Sequence, residues 1–149
     1  IISPGSPGMY EKQFYQTLGP YADHCIINTA WYNPLSPLTN KAIKIFNHMF
    51  PQMQFDLNVA FTCEAVWLAA DVYQRANATD GQSLRQALLT TNLRERLVYG
   101  GPLAFDKTGQ ALNIESVSLQ NHQGKPMIVF PHSLQQTLPI FPMLPWKQS

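Results

Sequence analysis

The ten residues Gly100-Gly101-Pro102-Leu103-Ala104-Phe105-Asp106-Lys107-Thr108-Gly109 divide the hydrophobic pattern of this chain into two regimes. Before them, apolar residues recur at helical spacing over residues 60–76 and 82–90; after them, over residues 114–119, the period is two. The cassette itself reads as a short strand, 102–105, running into a turn at Asp106-Lys107-Thr108-Gly109. Helices feeding a strand, a tight turn and further strands place the chain in the α/β class.

The rest of the chain supplies the other elements. Residues 1–8 are rich in Pro, Gly and Ser and read as a loop. A helix is expected over 9–18, with Tyr10, Phe14 and Leu18 four apart on one face, stopped by Gly19-Pro20. Residues 24–29 read as a buried strand around Cys25-Ile26-Ile27. After a connection at 31–35, Ser36 is a good N-cap and Pro37 suits the first helical position. The helix they start has Ala42, Ile45, Phe46 and Met49 as its apolar stripe and ends at Pro51. The longest helix runs from about 57 to 76. Its middle, Ala65-Val66-Trp67-Leu68-Ala69-Ala70, is apolar on nearly every side, which predicts deep burial, with Glu64, Asp71 and Arg75 on a narrow exposed stripe. The helix over 82–90 is capped by Thr79 or Asp80 and turns Leu84, Ala87 and Leu88 inward. A strand over 114–119 buries Val117 and Leu119, a turn follows at 121–124, then a strand over 127–130 and a Pro-rich extended strap.

Composition narrows the function classes. The chain has 149 residues, enough for one ordinary core. Only 13% are charged, against roughly 25% in an average protein, which predicts that an unusual share of the surface is covered. A net charge of +1 with no basic run gives no electrostatic footprint for nucleic acid. No apolar stretch is long enough to span a bilayer. Cys25 and Cys63 make no disulfide framework and read as two packed free thiols.

Several motifs in order carry a resemblance. They are Phe14-Tyr15-Gln16-Thr17-Leu18-Gly19 before a strand, Trp31 and Pro34 after it, and Glu64-Ala65-Val66-Trp67-Leu68-Ala69-Ala70 in the long helix. The Gly-Pro-Leu-x-Phe-Asp-x-x-Gly turn at 101–109 and the ending Ile140-Phe141-Pro142-Met143-Leu144-Pro145-Trp146 complete the set. Together they resemble the C-terminal part of a type I periplasmic solute-binding protein, the receptor of an ABC importer for branched-chain or hydrophobic amino acids or amides. The resemblance implies an α/β fold with a mixed sheet and helices, a part of two lobes that close over a ligand. It implies that residues 1–25 belong to the second lobe, 32–112 to the first, and 119–149 to the second again. It also implies a fragment of a longer chain. The sequence departs from the family where Cys63 replaces an aromatic residue common before the Glu-Ala run, and where a Ser-Pro opening replaces a Gly-Ala-Gly loop.

What the resemblance implies for sites is ligand contact at Ser3, Ser6, Tyr10, Trp31 and Tyr32. Ser3 and Ser6 would sit at the cleft mouth, where hydroxyls and helix N–H groups hold a carboxylate or amide; the plainer reading is a capped Ser/Pro loop. Trp31 and Tyr32 would offer flat rings to an apolar ligand, or else pack as hinge aromatics. Tyr10 has core spacing with Phe14 and Leu18. His24, His48, His122 and His132 show no metal-ligand spacing and read as surface or turn residues. No serine lies in a hydrolase elbow, and Asp106 and Glu64 read as a turn residue and an exposed helix charge, so no enzyme, cofactor or metal is implied. Asn77-Ala78-Thr79 has the form of a glycosylation acceptor but reads as a helix end. The implied partners are a small amino acid or amide and a membrane ABC permease, in the periplasm, or outside the cell on a lipid anchor in a Gram-positive source. The alternative is a ligand-sensing regulatory domain with the same fold.

Overall fold

The computed structural model describes residues 2–5 and 7–142, the side chains of Pro4 and Pro7 excepted. The chain divides into two compact units, one from Ile1–Thr29 with Ser116–Ser149 and the other from Ala30–Glu115.

The first unit is built on a four-stranded mixed sheet in the order β1-β2-β5-β6. Its strands are β1 (Ile2–Pro4), β2 (Ile26–Ala30), β5 (Ser116–His122) and β6 (Lys125–Phe130). β1 lies within the opening expected to be a loop. Its backbone finds the free edge of β2 in parallel, pairing Ile2 with Ile26 and Ser3 with Ile27. β2 starts two residues later than expected because His24 takes a left-handed conformation, φ 63°, which no strand tolerates. β5 and β6 form an antiparallel hairpin closed between His122 and Lys125. Gln123 and Gly124 both have positive φ there, as a two-residue turn matching strand twist requires. Val117, Leu119 and Ile128 are fully buried, so the expected inward face of this strand is the observed one. The helix expected over 9–18 is instead a 3-10 turn at Pro7–Tyr10 followed by α1 (Lys12–Leu18), interrupted where Glu11 is extended. Tyr10 is buried but Leu18 is exposed, so the two do not share one inward face.

The second unit is mainly helical. It holds α2 (Pro37–Met49), α3 (Leu57–Ala76), α4 (Gly81–Leu89) and a two-stranded antiparallel sheet of β3 (Gly100–Phe105) and β4 (Ala111–Ile114). Each helix starts at a side-chain cap. Ser36 accepts from the Thr39 N–H, Asp56 from Val59, and Asp80 from both Gln82 and Ser83. α3 ends on Asn77 in the left-handed conformation, which is the structural use of that residue. The core gathers Phe55, Ala60, Leu97 and Val98, with Leu38, Ala42, Ile43 and Phe46 of α2 packed against it. The inward stripe of α2 is therefore rotated from the expected one. Ala42 and Phe46 keep their place, while Ile45 and Met49 are exposed. On α4, Ala87 is buried and Leu88 exposed.

Two expectations about α3 and its sequel are corrected. The middle of the helix is not deeply buried. Val66 is 67% exposed and Trp67 43%, because only the row carrying Leu57, Ala60, Glu64 and Val72 is covered. Cys63 is likewise an exposed free thiol, although Cys25 is free and buried as expected. The strand expected over 114–119 is two strands broken at Glu115, where the chain leaves one unit for the other. Near that break, Gly100 pairs with Ile114 at φ 143°, and a side chain there would collide with the Asn113 carbonyl oxygen.

Candidate functional site

In the second unit, residues 31–33 lie antiparallel to 97–99. Tyr99 N–H donates to the Trp31 carbonyl at 2.8 Å and Asn33 N–H to the Leu97 carbonyl at 2.7 Å. This pairing holds two aromatic rings in place. Trp31 and Tyr32 stack with centroids 5.0 Å apart, and Tyr32 meets Phe55 edge-on at 5.3 Å. Trp31 is buried at 2% exposure and Tyr32 is half-buried. Burial pushes the Tyr32 phenol up, opposed by a hydrogen bond from Trp31.

The other expected ligand residues lie in the first unit. Ser3 is half-buried in β1, and Tyr10 is buried at 1% exposure in its 3-10 turn. Ser6 lies outside the described residues. Of the five, the structure brings together Trp31 and Tyr32. The last four residues of the expected C-terminal motif, Met143 to Trp146, also lie outside the described residues.

Two polar clusters were not anticipated. The first corrects the reading of Glu64 as an exposed helix charge. Glu64 is 4% exposed, and its Oε1 accepts from Arg96 Nη2 at 2.7 Å and Nε at 3.2 Å. Its Oε2 accepts from the N–H groups of Leu97 and Val98 at 2.8 and 2.9 Å. Arg96 Nη1 donates onward to the carbonyls of Gly101 and Asn113. Both carboxylate oxygens carry two donors each, so the pair is a structural anchor with little left to offer a ligand. A signal for it existed: Ala60, Glu64, Leu68 and Val72 are spaced four apart, which puts Glu64 on a buried row. Asp106, by contrast, is the turn residue expected. Its Oδ1 accepts from the Thr108 hydroxyl and from the Thr108 and Gln110 N–H groups, which hold its carboxyl below the usual range.

The second cluster fixes the ends of the first unit to β5. Asn121 is fully buried; its amide donates to the carbonyls of Met9 and Ala22, and its Oδ1 accepts from the Tyr15 hydroxyl at 2.7 Å. Gln120, also fully buried, donates to the carbonyls of His24 and Ile140 and accepts from the Ile140 N–H at 2.8 Å. His122 Nε2 lies 3.0 Å from the same Gln120 oxygen, so that nitrogen carries the proton. The rings of His24 and His122 meet edge to face at 5.9 Å, and among the described residues the buried His24 Nδ1 has no hydrogen-bond partner. These two histidines are thus paired and half-buried, not scattered surface residues as expected; His48 and His132 are exposed. Burial, and then the nearby His24, push the His122 pKa down. Burial also pushes up the Cys25 thiol, which disfavours the nucleophilic thiolate. Among the described residues, no group of three His, Cys, Asp or Glu side chains is placed to hold a metal, and no helix is long and apolar enough to cross a membrane.

No family model matches the sequence, and no curated protein matches it. Solved structures do match in fold. A leucine binding protein from Thermotoga maritima aligns over 86% of this chain and 35% of its own, with a TM-score of 0.69 at 15% identity. An extracellular ligand-binding receptor from Rhodopseudomonas palustris aligns over 80% and 38%, at 0.64 and 18% identity. An ABC transporter substrate-binding protein from Desulfitobacterium hafniense, solved in complex with Leu, aligns over 78% and 38%, at 0.57 and 15% identity. The chain therefore spans 35–38% of the length of these structures, and it shares that part of their fold.

Two predictions follow from the polar clusters. Glu64→Gln leaves Arg96 buried without its counter-charge, and the second unit should lose about 3–5 kcal/mol in urea unfolding. A paired Glu64→Leu, Arg96→Met variant should lose less than the single one; a single-variant loss below about 1 kcal/mol contradicts the anchor. For His122, the folded pKa lies below its ordinary 6.5. The unfolded chain therefore binds the proton first, so the stability this group contributes is complete above that value and is lost as pH falls through the folded pKa. Thermal melts of the first unit should decline from pH 7 to pH 5, with a shallower decline in His122→Gln. Equal slopes in the two proteins would remove the histidine from the account.

Proposed function

We propose that this chain, which carries part of the type I periplasmic-binding-protein fold, is the C-terminal part of an ABC-transporter substrate-binding protein. In this reading the protein captures an amino acid, an amide or a similar small solute and is not an enzyme. The observation that carries it is the fold shared with binding proteins over 78–86% of the chain, one of them solved with leucine. The uncovered face of α3 supports it. A helix apolar all round belongs between layers, and among the described residues nothing covers Val66, Trp67 and Tyr73.

The lobe assignment belongs to the same proposal, with residues 1–25 and 119–149 in the second lobe and 32–112 in the first. Ligand affinity then comes from closure that excludes water around a few fixed polar groups. Tyr32, half-buried and stacked on the buried Trp31, contributes the aromatic contact to the solute. Ser3, Ser6 and Tyr10 supply the ligand contacts from the other lobe, Ser6 lying outside the described residues. The destination of the solute is a membrane permease, and the site of capture is the periplasm or the cell exterior.

Titration calorimetry with leucine, isoleucine and a short aliphatic amide tests this reading. The longer product of the same gene should bind at least one of them, and the 149-residue chain should bind it about a hundredfold more weakly or not at all, a difference near 2.7 kcal/mol. Equal affinity in the two proteins, or no binding of any of these solutes by the longer one, would sink it.

A further inference from the structure

Between α4 and the Asp106 turn lies a small pocket of about 170 Å³. Arg85, Leu88 and Leu89 border it from α4, Phe105 from the end of β3, and Lys107 and Thr108 from the turn. Spacings of three and four put the α4 residues on one helix face, while Ala87 is buried. The turn is held by Asp106, whose Oδ1 accepts from the Thr108 hydroxyl and from the Thr108 and Gln110 N–H groups. That fixes the backbone that carries Lys107 just beyond Phe105. No residue of α3 borders the pocket, and none of those assigned to solute capture does. Neither a layer over α3 nor the solute reading therefore enters into it.

The lining is chemically divided. Leu88 is 36% exposed and Leu89 and Phe105 are half-buried, so apolar surface stays in water at a concave site. Arg85 and Lys107 are exposed, and among the described residues neither forms an ion pair or hydrogen bond. Arg75 and Arg96, by contrast, are held by the carboxylates of Asp71 and Glu64. No carboxylate borders the pocket, and the Asp106 Oδ1 beside it in sequence is committed to its own turn. Two cations without an acid thus stand beside an apolar floor. At the packing density of protein interiors, about 0.75, a space of 170 Å³ takes roughly six to eight non-hydrogen atoms. A neutral apolar molecule would leave the cations unused, and an inorganic anion would leave the leucines unused. An aromatic acid has too many atoms.

We propose that this pocket binds a short, straight-chain aliphatic monocarboxylate, its chain against Leu88, Leu89 and Phe105 and its carboxylate facing Arg85 and Lys107. Its residues are not those of solute capture, so the site stands or falls separately from that reading.

Butyrate is the probe, titrated into the isotope-labelled 149-residue chain at constant ionic strength, with butyramide as its neutral match of the same size. In NMR spectra the amide signals of Leu88, Leu89, Thr108 and Gly109 should shift saturably with millimolar butyrate. Exposed ion pairs are individually weak, so the expected preference for butyrate over butyramide is about threefold or more. The Arg85→Gln, Lys107→Gln double variant should erase that preference, and Leu88→Gln should weaken butyrate binding by about threefold or more. All three positions are exposed, and an unchanged urea midpoint verifies that the fold is kept. The comparison of acid and amide in the unaltered chain needs no variant at all. A smaller preference, shifts confined to other residues, a preference undiminished in the double variant, butyrate binding unchanged in Leu88→Gln, or no saturation into the tens of millimolar would each overturn the proposal.

Discussion

The second unit has little sheet of its own, and the Glu64–Arg96 pair is what ties its parts together. One carboxylate on α3 holds the guanidinium and two consecutive backbone N–H groups, and the guanidinium reaches the carbonyls of Gly101 on β3 and Asn113 on β4. A helix, a loop and both strands of a hairpin therefore meet at two side chains. Burying two ions costs several kcal/mol each, and the cost is offset only where geometry and hydrogen bonds are nearly complete. Here both carboxylate oxygens are doubly occupied, and Arg96 Nη1 donates to two carbonyls. The pair also defines the path of 96–98, on which Tyr32 makes its isolated bridge to Val98 and against which the aromatic stack is set.

A second constraint is what α3 lacks. Its sequence is apolar around most of its circumference, yet only one row is buried among the described residues. α/β architectures satisfy such helices by setting them against a sheet, and the two-stranded β3–β4 sheet is too small to serve the whole helix. The low charge of the sequence is the same fact in compositional form. Both accord with a chain that spans little more than a third of the structures sharing its fold.

Much of the local structure was legible because it is decided within a few residues. Ser36 and Asp80 cap helices as their types require, Asn77 ends α3, and the Asp106 turn closes on its own backbone. What was not legible depends on partners distant in sequence. Glu64 looked like a solvated charge until Arg96, thirty-two residues on, was placed beside it. Ile45 and Met49 fit a helical stripe equally well, but the core of Phe55, Leu97 and Val98 selects Leu38 and Ile43 with Ala42 and Phe46 instead. β1 reads as loop because it is short and Pro-rich, and only the edge of β2 makes it a strand. The break at Glu115 was hidden inside an unbroken alternating pattern, since each half pairs in a different unit. Of the proposed ligand residues, the adjacency of Trp31 and Tyr32 was evident, but their stacking and the burial of Trp31 were set by the pairing to 97–99.

The central claim is that α3 is built to lie under a layer supplied by more of the same protein. Sequencing the coding DNA upstream of Ile1 tests it most directly. The account predicts an open frame that continues into an α/β segment with strands enough to cover the outward face of α3. A start codon immediately before Ile1 would contradict it, leaving a short protein whose exposed helix needs another explanation.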